Sequence, residues 1–360
     1  MNILKTGIAL MAAIGSNVAT ATDLEVVAQL NGTRPGNLTV TEQGRLIMSM
    51  HPLENPKYRV MELLDDGTTR PFPTEDWADG PELGEVGLSS VIGIDSTKEG
   101  TVWMLDMGSA TTPAQIVAWD SVNHVLAKRF TLSPSVMVDN SFFQDFALDT
   151  SRNLMYIADT TLGNIAGSAA PAFVVVDLNT GQARRVLESN KALMAPQHQI
   201  NIDGSALATK RQDGKSDPVS LGLNPITIDT NNEWVYFGTV NGSAIYRLPA
   251  AALADPKLAS EQLAKTIEFY SEKRPSDGMV MAKNGRIYVG DLEKNAIGVA
   301  DETGYRLIAQ DDQLLNWVDG FALGKGYLYL TQNALHLHPI MNEGEEEATK
   351  PYRIVRLKLE

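Results

Sequence analysis

The 360-residue chain contains no cysteine. That absence excludes a disulfide framework, Cys-ligated zinc and iron–sulfur sites, and any thiol nucleophile. Basic residues are also in short supply, with 30 Lys and Arg against 44 Asp and Glu and a formal charge of −14. A protein that tracks nucleic-acid phosphates draws its affinity from clustered Lys and Arg, so that class is excluded as well. No apolar run approaches the roughly 20 residues that cross a bilayer as a helix. Familiar catalytic signatures are missing too: there is no Gly-x-Ser-x-Gly elbow and no His-Glu-x-x-His pair. Gly214-Lys215-Ser216 has the ending of a phosphate loop, but Thr209 stands where that loop requires its earlier glycine.

What is present begins at the N-terminus. Lys5, an apolar stretch from Gly7 to Gly15, and Ala19-Thr20-Ala21 follow the order of a secretory signal peptide ending at residue 21. Residues 22–360 are then expected to form a single exported domain, periplasmic or secreted, with no membrane span and no obligate protein partner.

Six short segments of β character recur along that stretch: Arg45–Met50, Thr101–Asp106, Leu154–Asp159, Trp234–Thr239, Arg286–Asp291 and Tyr327–Gln332. Their third positions are Ile47, Trp103, Tyr156, Tyr236, Tyr288 and Tyr329, spaced by 56, 53, 80, 52 and 41 residues. Turn-forming runs such as Lys98-Glu99-Gly100 and Lys283-Asn284-Gly285 precede them, and another apolar strand precedes each turn, which is hairpin chemistry. Each step has room for two further strands, so the pattern predicts an all-β, six-bladed β-propeller with four-stranded blades. Leu24–Leu30 and the alternating Tyr352–Leu359 are expected to share the closing blade. Asp255-Pro256 followed by Leu258–Tyr270, with Leu263, Ile267 and Tyr270 at helical spacing and Ser260 as a cap, predicts a short helical insertion near 255–270.

In a propeller the inner strands start around one axis, so residues at those starts meet although they are distant in sequence. Counting back 10 to 12 residues from the third positions reaches Asn37, Ile92, Asp145, Asn224, Asp277 and Asp319. Five of these six are Asp or Asn. Carboxylates ~6–8 Å apart at an effective dielectric near 20 repel by roughly 2–3 kcal/mol, a cost relieved by taking up a proton or a cation. Oxygen ligands of this kind suit Ca²⁺, for which Asn224, Asp277 and Asp319 are the candidate ligands. The other solution is a small polar or cationic organic ligand. Asp-Gly pairs are also turn chemistry, the competing reading for Asp277 and Asp319. Arg34 is the one cation expected near the axis, either to bind a ligand carboxylate or to neutralise the ring. His198, in the longest step, is a candidate acid or base on a loop that could fold over the mouth. His336-x-His338 reads as one face of a strand in a packing role, and Asp106, Asp159 and Asp291, ending the repeat strands, read as structural.

Arg34-Pro35-Gly36-Asn37, Gly222-Leu223-Asn224-Pro225-Ile226, Ser276-Asp277-Gly278, Asp291-Leu292-Glu293-Lys294-Asn295-Ala296-Ile297 and Trp317-Val318-Asp319-Gly320-Phe321 resemble the major royal jelly protein and Yellow family, from about Leu24 to Leu359. The resemblance implies a secreted six-bladed propeller. It leaves activity open, since that family includes dopachrome-converting, amine-binding and nutritive proteins. A more distant likeness is to the gluconolactonase and senescence-marker propellers, calcium-dependent lactonases in which an Asn and an Asp opening inner strands help hold the metal. Asn224 and Asp277 are similar in context, whereas that family's first-blade Glu ligand has no counterpart beside Arg34 and Asn37. The sequence therefore supports two functions: an exported protein binding a small polar or cationic ligand in its funnel, or a Ca²⁺-dependent lactonase-like hydrolase or dopachrome-type isomerase using the same funnel. In the second, Asp145 is the candidate base.

Overall fold

The computed structural model describes residues 24–80, 86–210 and 213–359. The segment read from sequence as a signal peptide lies outside them. Six four-stranded antiparallel sheets follow one another around a ring. Blade one comprises Pro35–Val40, Leu46–Met50, Val60–Leu63 and Thr69–Pro71. The inner strands of blades two to six are Val91–Ser96, Phe143–Asp149, Leu223–Ile228, Met279–Met281 and Val318–Gly324. Every repeat segment is the second strand of its blade, paired by a hairpin to the inner strand before it. Blade six is completed by the N-terminus: Leu24–Leu30 pairs as its outermost strand with Tyr352–Lys358, Leu24 opposite Leu357 and Leu30 opposite Tyr352. Strand alternation in Tyr352–Lys358 is hidden, because Ile354 and Val355 are both buried between neighbouring layers.

The third-position residues explain the repeat. Ile47 packs in the layer between blades one and two, Trp103 between two and three, and Tyr156 between three and four. Tyr236, Tyr288 and Tyr329 do the same for the layers that follow, the last closing onto blade one. One large side chain per blade thus fills each gap toward the next, and burying an aromatic of this size contributes about 1.5–3 kcal/mol.

A short helix does lie in the insertion expected near 255–270, but the helical reading of the stretch up to Tyr270 is too long. Helices cover only Ala250–Ala254 and Ser260–Ala264, and Ser260 is the first helical residue rather than the cap. Glu268–Glu272, containing Tyr270, is the outer strand of blade four. The β-favouring Phe269 and Tyr270 follow the helix directly, and the free edge of Ala244–Pro249 takes them as a partner. Among the described residues no helix is long and apolar enough to cross a membrane.

Candidate ligand site at the propeller axis

Five inner strands carry a bulge near their start, with register shifts between Pro35 and Leu38, Val91 and Ile94, Phe143 and Asp145, Leu223 and Ile226, and Val318 and Phe321. In the fifth blade the strand begins only after Asp277-Gly278. A bulge bends its strand and re-aims a side chain, so five of the six residues reached by counting back sit where the chain kinks, and Asp277 sits just ahead of its strand. Neighbouring starts approach closely through glycine. A Cβ on Gly320 would lie 2.8 Å from Asn37 Cα, and one on Gly93 would lie 3.3 Å from Asp145 Cα.

Four of the five polar residues form two hydrogen-bonded pairs, and the fifth, Asp319, senses both through their charge. Asn37 Nδ2 donates to Asp145 Oδ1 at 3.1 Å. Asn224 Nδ2 donates to the Asp277 backbone carbonyl and, at 2.8 Å, to its Oδ1. Trp317 Nε1 donates to Asp277 Oδ2 at 2.8 Å, and Asn333 Nδ2 to Asp319 Oδ2 at 3.1 Å. Burial, then the charges of Asp277 and Asp145, push the Asp319 carboxyl well above the usual range. Burial and the charges of Asp95 and Asp277 do the same to Asp145. Asp277 is raised by burial, against the pull of Trp317, Asn224 and the Lys273 charge. Asp95, further along the inner strand of blade two, is pushed up to about 6 by burial. Asp95 and Asp145 keep part of their surface accessible although protein surrounds them. One oxygen in this assembly has no partner: Asn224 Oδ1, fully buried.

Above Asn224 and Asp277 opens a cavity of about 520 Å³ of empty space, counting the part open to solvent. Its walls are largely apolar, including Phe142, Ile165, Leu221, Trp317 and Met341, while His51 and Gln144 add polar edges. The long step between blades three and four closes over it. Two short ribbons, Asn201–Ile202 with Ser205–Ala206 and Ala208–Lys210 with Ser216–Pro218, place Ile200, Ile202, Leu207 and Val219 in one apolar cluster with Trp317, Leu335 and Met341. Asp203 at the tip of the first ribbon accepts from Asn295 Nδ2 at 2.6 Å and from Asn316 Nδ2 at 3.0 Å, fastening the cover to blades five and six.

Not every residue singled out from sequence joins the site. Arg34 is fully buried, but its guanidinium is consumed by Glu54, by both Glu346 oxygens at 2.8 and 2.7 Å, and by the Asn333 carbonyl at 2.8 Å. It neutralises those two glutamates rather than the axial ring. His198 does ride on the covering segment, yet its ring is 46 % exposed and faces Glu293 at 3.2 Å, outside the cavity lining. His336 and His338 lie on 3₁₀ turns, not on a strand: His336 stacks on Trp317 and His338 Nδ1 accepts from Ile340 N–H. Asp106 and Asp159 are structural, each accepting backbone amides at its blade's entrance. Sequence reasoning assigned no role to His51, Gln144, Trp317 and Lys273. Trp317 carries a visible signal only in the structure, a positive φ of 50°, which is strained for a bulky residue and aims its N–H at Asp277. Lys273 stands buried behind Asp277, donating to the Thr239 and Gly242 carbonyls at 2.7 and 2.9 Å, with its ammonium pushed down to about 7 by burial.

Solved structures with the same ring are numerous. A gluconolactonase from Xanthomonas campestris superposes with a TM-score of 0.55 at 11 % identity, over 94 % of this chain and 89 % of its own. A luciferin-regenerating enzyme gives 0.57 at 12 %, over 93 % and 94 %. Regucalcin from Agrobacterium tumefaciens, a calcium-binding protein, gives 0.55 at 14 %, over 93 % and 96 %. At such identities the likeness shows the fold alone. No curated protein sequence matches the chain. The sequence profile of the major royal jelly proteins matches residues 89–359, spanning blades two to six with all of the covering segment and the Trp317-to-Phe321 stretch. The chain belongs to the major royal jelly protein family.

Proposed function

We propose that the protein, exported on the strength of its first 21 residues, binds a small organic cation in the axial cavity. The ammonium end meets Asn224 and Asp277, and the apolar body lies against Phe142, Ile165, Leu221 and Met341. The observation that carries this reading is Asp277, which lines the cavity beside Asn224 and whose charge adds to the burial that raises Asp319 and Asp145. An ammonium at the Asp277 end of the cavity supplies the positive charge that these carboxyl groups lack. At 4 Å and an effective dielectric near 20, one charge pair contributes about 4 kcal/mol. Apolar walls around a few convergent polar atoms are the general form of a small-molecule site.

Phenethylammonium, which has this polarity, is a suitable probe. Asp277→Ala is expected to weaken its binding by at least about tenfold in calorimetry, and Asp319→Ala by a smaller factor, with circular dichroism unchanged in both. Equal affinity in wild type and Asp277→Ala would remove Asp277 from the site.

A second reading is favoured by the oxygen-rich end of the cavity: Ca²⁺ held by Asn224, Asp277 and Asp319, polarising a substrate carbonyl or water as in a lactonase. The gluconolactonase and the calcium-binding regucalcin share the ring. Against it, a calcium site wants six to eight oxygens. Asp277 also has both oxygens engaged by Asn224 and Trp317. About one equivalent of calcium in protein purified without chelator, and a melting temperature that rises with Ca²⁺ and falls with chelator, would move the assignment to the metal.

A further inference from the structure

His51 stands one residue beyond the second strand of blade one and caps the 3₁₀ turn Pro52–Glu54. Its Nδ1 accepts the Leu53 N–H at 3.3 Å. A ring nitrogen that accepts carries no proton, so in the neutral imidazole the proton is on Nε2. Among the described residues nothing partners Nε2, and that atom is not one of the sealed, unsatisfied ones, unlike His336 Nδ1. The side chain is only 1 % exposed and lines the axial cavity. His51 is a lining residue, and Nε2 is the ring nitrogen that the turn leaves without a bond.

We propose that His51 is a specificity-determining donor whose Nε2–H selects ligands carrying a hydrogen-bond acceptor (an ether, carbonyl or hydroxyl oxygen) in addition to their positive charge. This rests on the cation-binding reading above. The charges around the ring are consistent with it. Burial, then the charges of His338 and Arg34, push the His51 imidazolium down to about 3. A neutral ring donates a hydrogen bond without repelling a cation. Glu54 and Glu346, the acids nearest Arg34, are occupied by its guanidinium and do not draw a second proton onto His51. Gln144, on the blade-three side of the lining, can donate or accept by turning its amide and discriminates little between ligands. His51 supplies a fixed direction because its other nitrogen is held by the turn.

The experiment compares methoxyphenethylammonium isomers with their ethyl isosteres, which match in shape and charge but lack the ether oxygen. Wild type is expected to bind at least one methoxy isomer about tenfold more tightly than its isostere. His51→Leu should collapse that ratio to within twofold, and His51→Asn, which keeps a donor and a turn cap, should restore part of it. Nitrogen NMR shifts of His51 should report a proton on Nε2 and a bare Nδ1, unchanged from pH 8 to pH 5. Equal binding of both probes to wild type, a ratio that survives His51→Leu, or an imidazole titrating near 6.5 would each overturn the assignment while leaving cation binding intact. Binding of neither ammonium to wild type would instead overturn the reading on which it rests, and this assignment with it.

Discussion

Gly278→Ala is expected to cost more than about 3 kcal/mol and to lower the melting temperature by roughly 5–10 °C, or to yield insoluble protein. The added Cβ would overlap the backbone carbonyl oxygen of Asp319, with the Phe321 ring only 2.6 Å away. A side chain at the far end of a flexible stem could swing aside. A carbonyl locked into the neighbouring inner strand cannot, so blades five and six must separate at the axis, and the layer holding Tyr288, Ile297 and Phe321 opens with them. Gly32→Ala is the matched control, because a Cβ there meets nothing within 4 Å and should change stability by no more than about 0.5 kcal/mol. Thermal or urea unfolding of both variants checks the pair. Equal stability of Gly278→Ala and wild type would mean that the inner strands are not in contact at this point.

Asp95→Asn should stabilise the ligand-free protein at pH 7.5 by up to about 3 kcal/mol, and hardly at all at pH 4. The Asp95 carboxyl is raised from 3.8 to about 6 by burial, with only the Ser96 amide bonding to it. A carboxyl whose folded pKa is raised adds stability below the unfolded value of 3.8 and loses it as pH climbs through about 6. An amide at this position is spared the ionisation cost that wild type bears above that range. Asp145 and Asp319 are raised in the same direction, by burial first and then by neighbouring carboxylates. The histidines act oppositely. His51 and His336, pushed down to about 3 and about 4 by burial, subtract stability as pH falls below 6.5. Absolute melting temperatures therefore mix the two effects, whereas the difference between variant and wild type cancels the histidines. A difference that stays constant from pH 4 to pH 8 would show that Asp95 is not held in a low-dielectric channel.

The ring and much of its axis were legible in the sequence because one physical requirement is written six times. Each blade needs a bulky residue on the third position of its second strand to fill the gap toward the next, and Trp103, Tyr156, Tyr236, Tyr288 and Tyr329 mark the register from which the inner-strand starts can be counted. The 80-residue step marked the covering segment by length alone. What escaped depends on partners that no local pattern encodes. Arg34 looks like an axial cation until Glu346, more than 300 positions away, is found on its guanidinium. Glu268–Glu272 reads as helix by spacing because the strand edge awaiting it, Ala244–Pro249, is a tertiary fact. His51 is one histidine among five in the sequence; only the turn that holds its Nδ1 and the cavity beside its Nε2 distinguish it.

The central claim is that charge at the axis, set among apolar walls, selects a cation. It is tested most directly by calorimetric titration of the wild-type protein at pH 7.5 with phenethylammonium and with its neutral isostere, 2-phenylethanol. The account predicts one-site binding of the ammonium at least about tenfold tighter than the alcohol, with a preference that shrinks when Asp277 is replaced by Ala. Equal binding of the two, or preference for the alcohol, would contradict it.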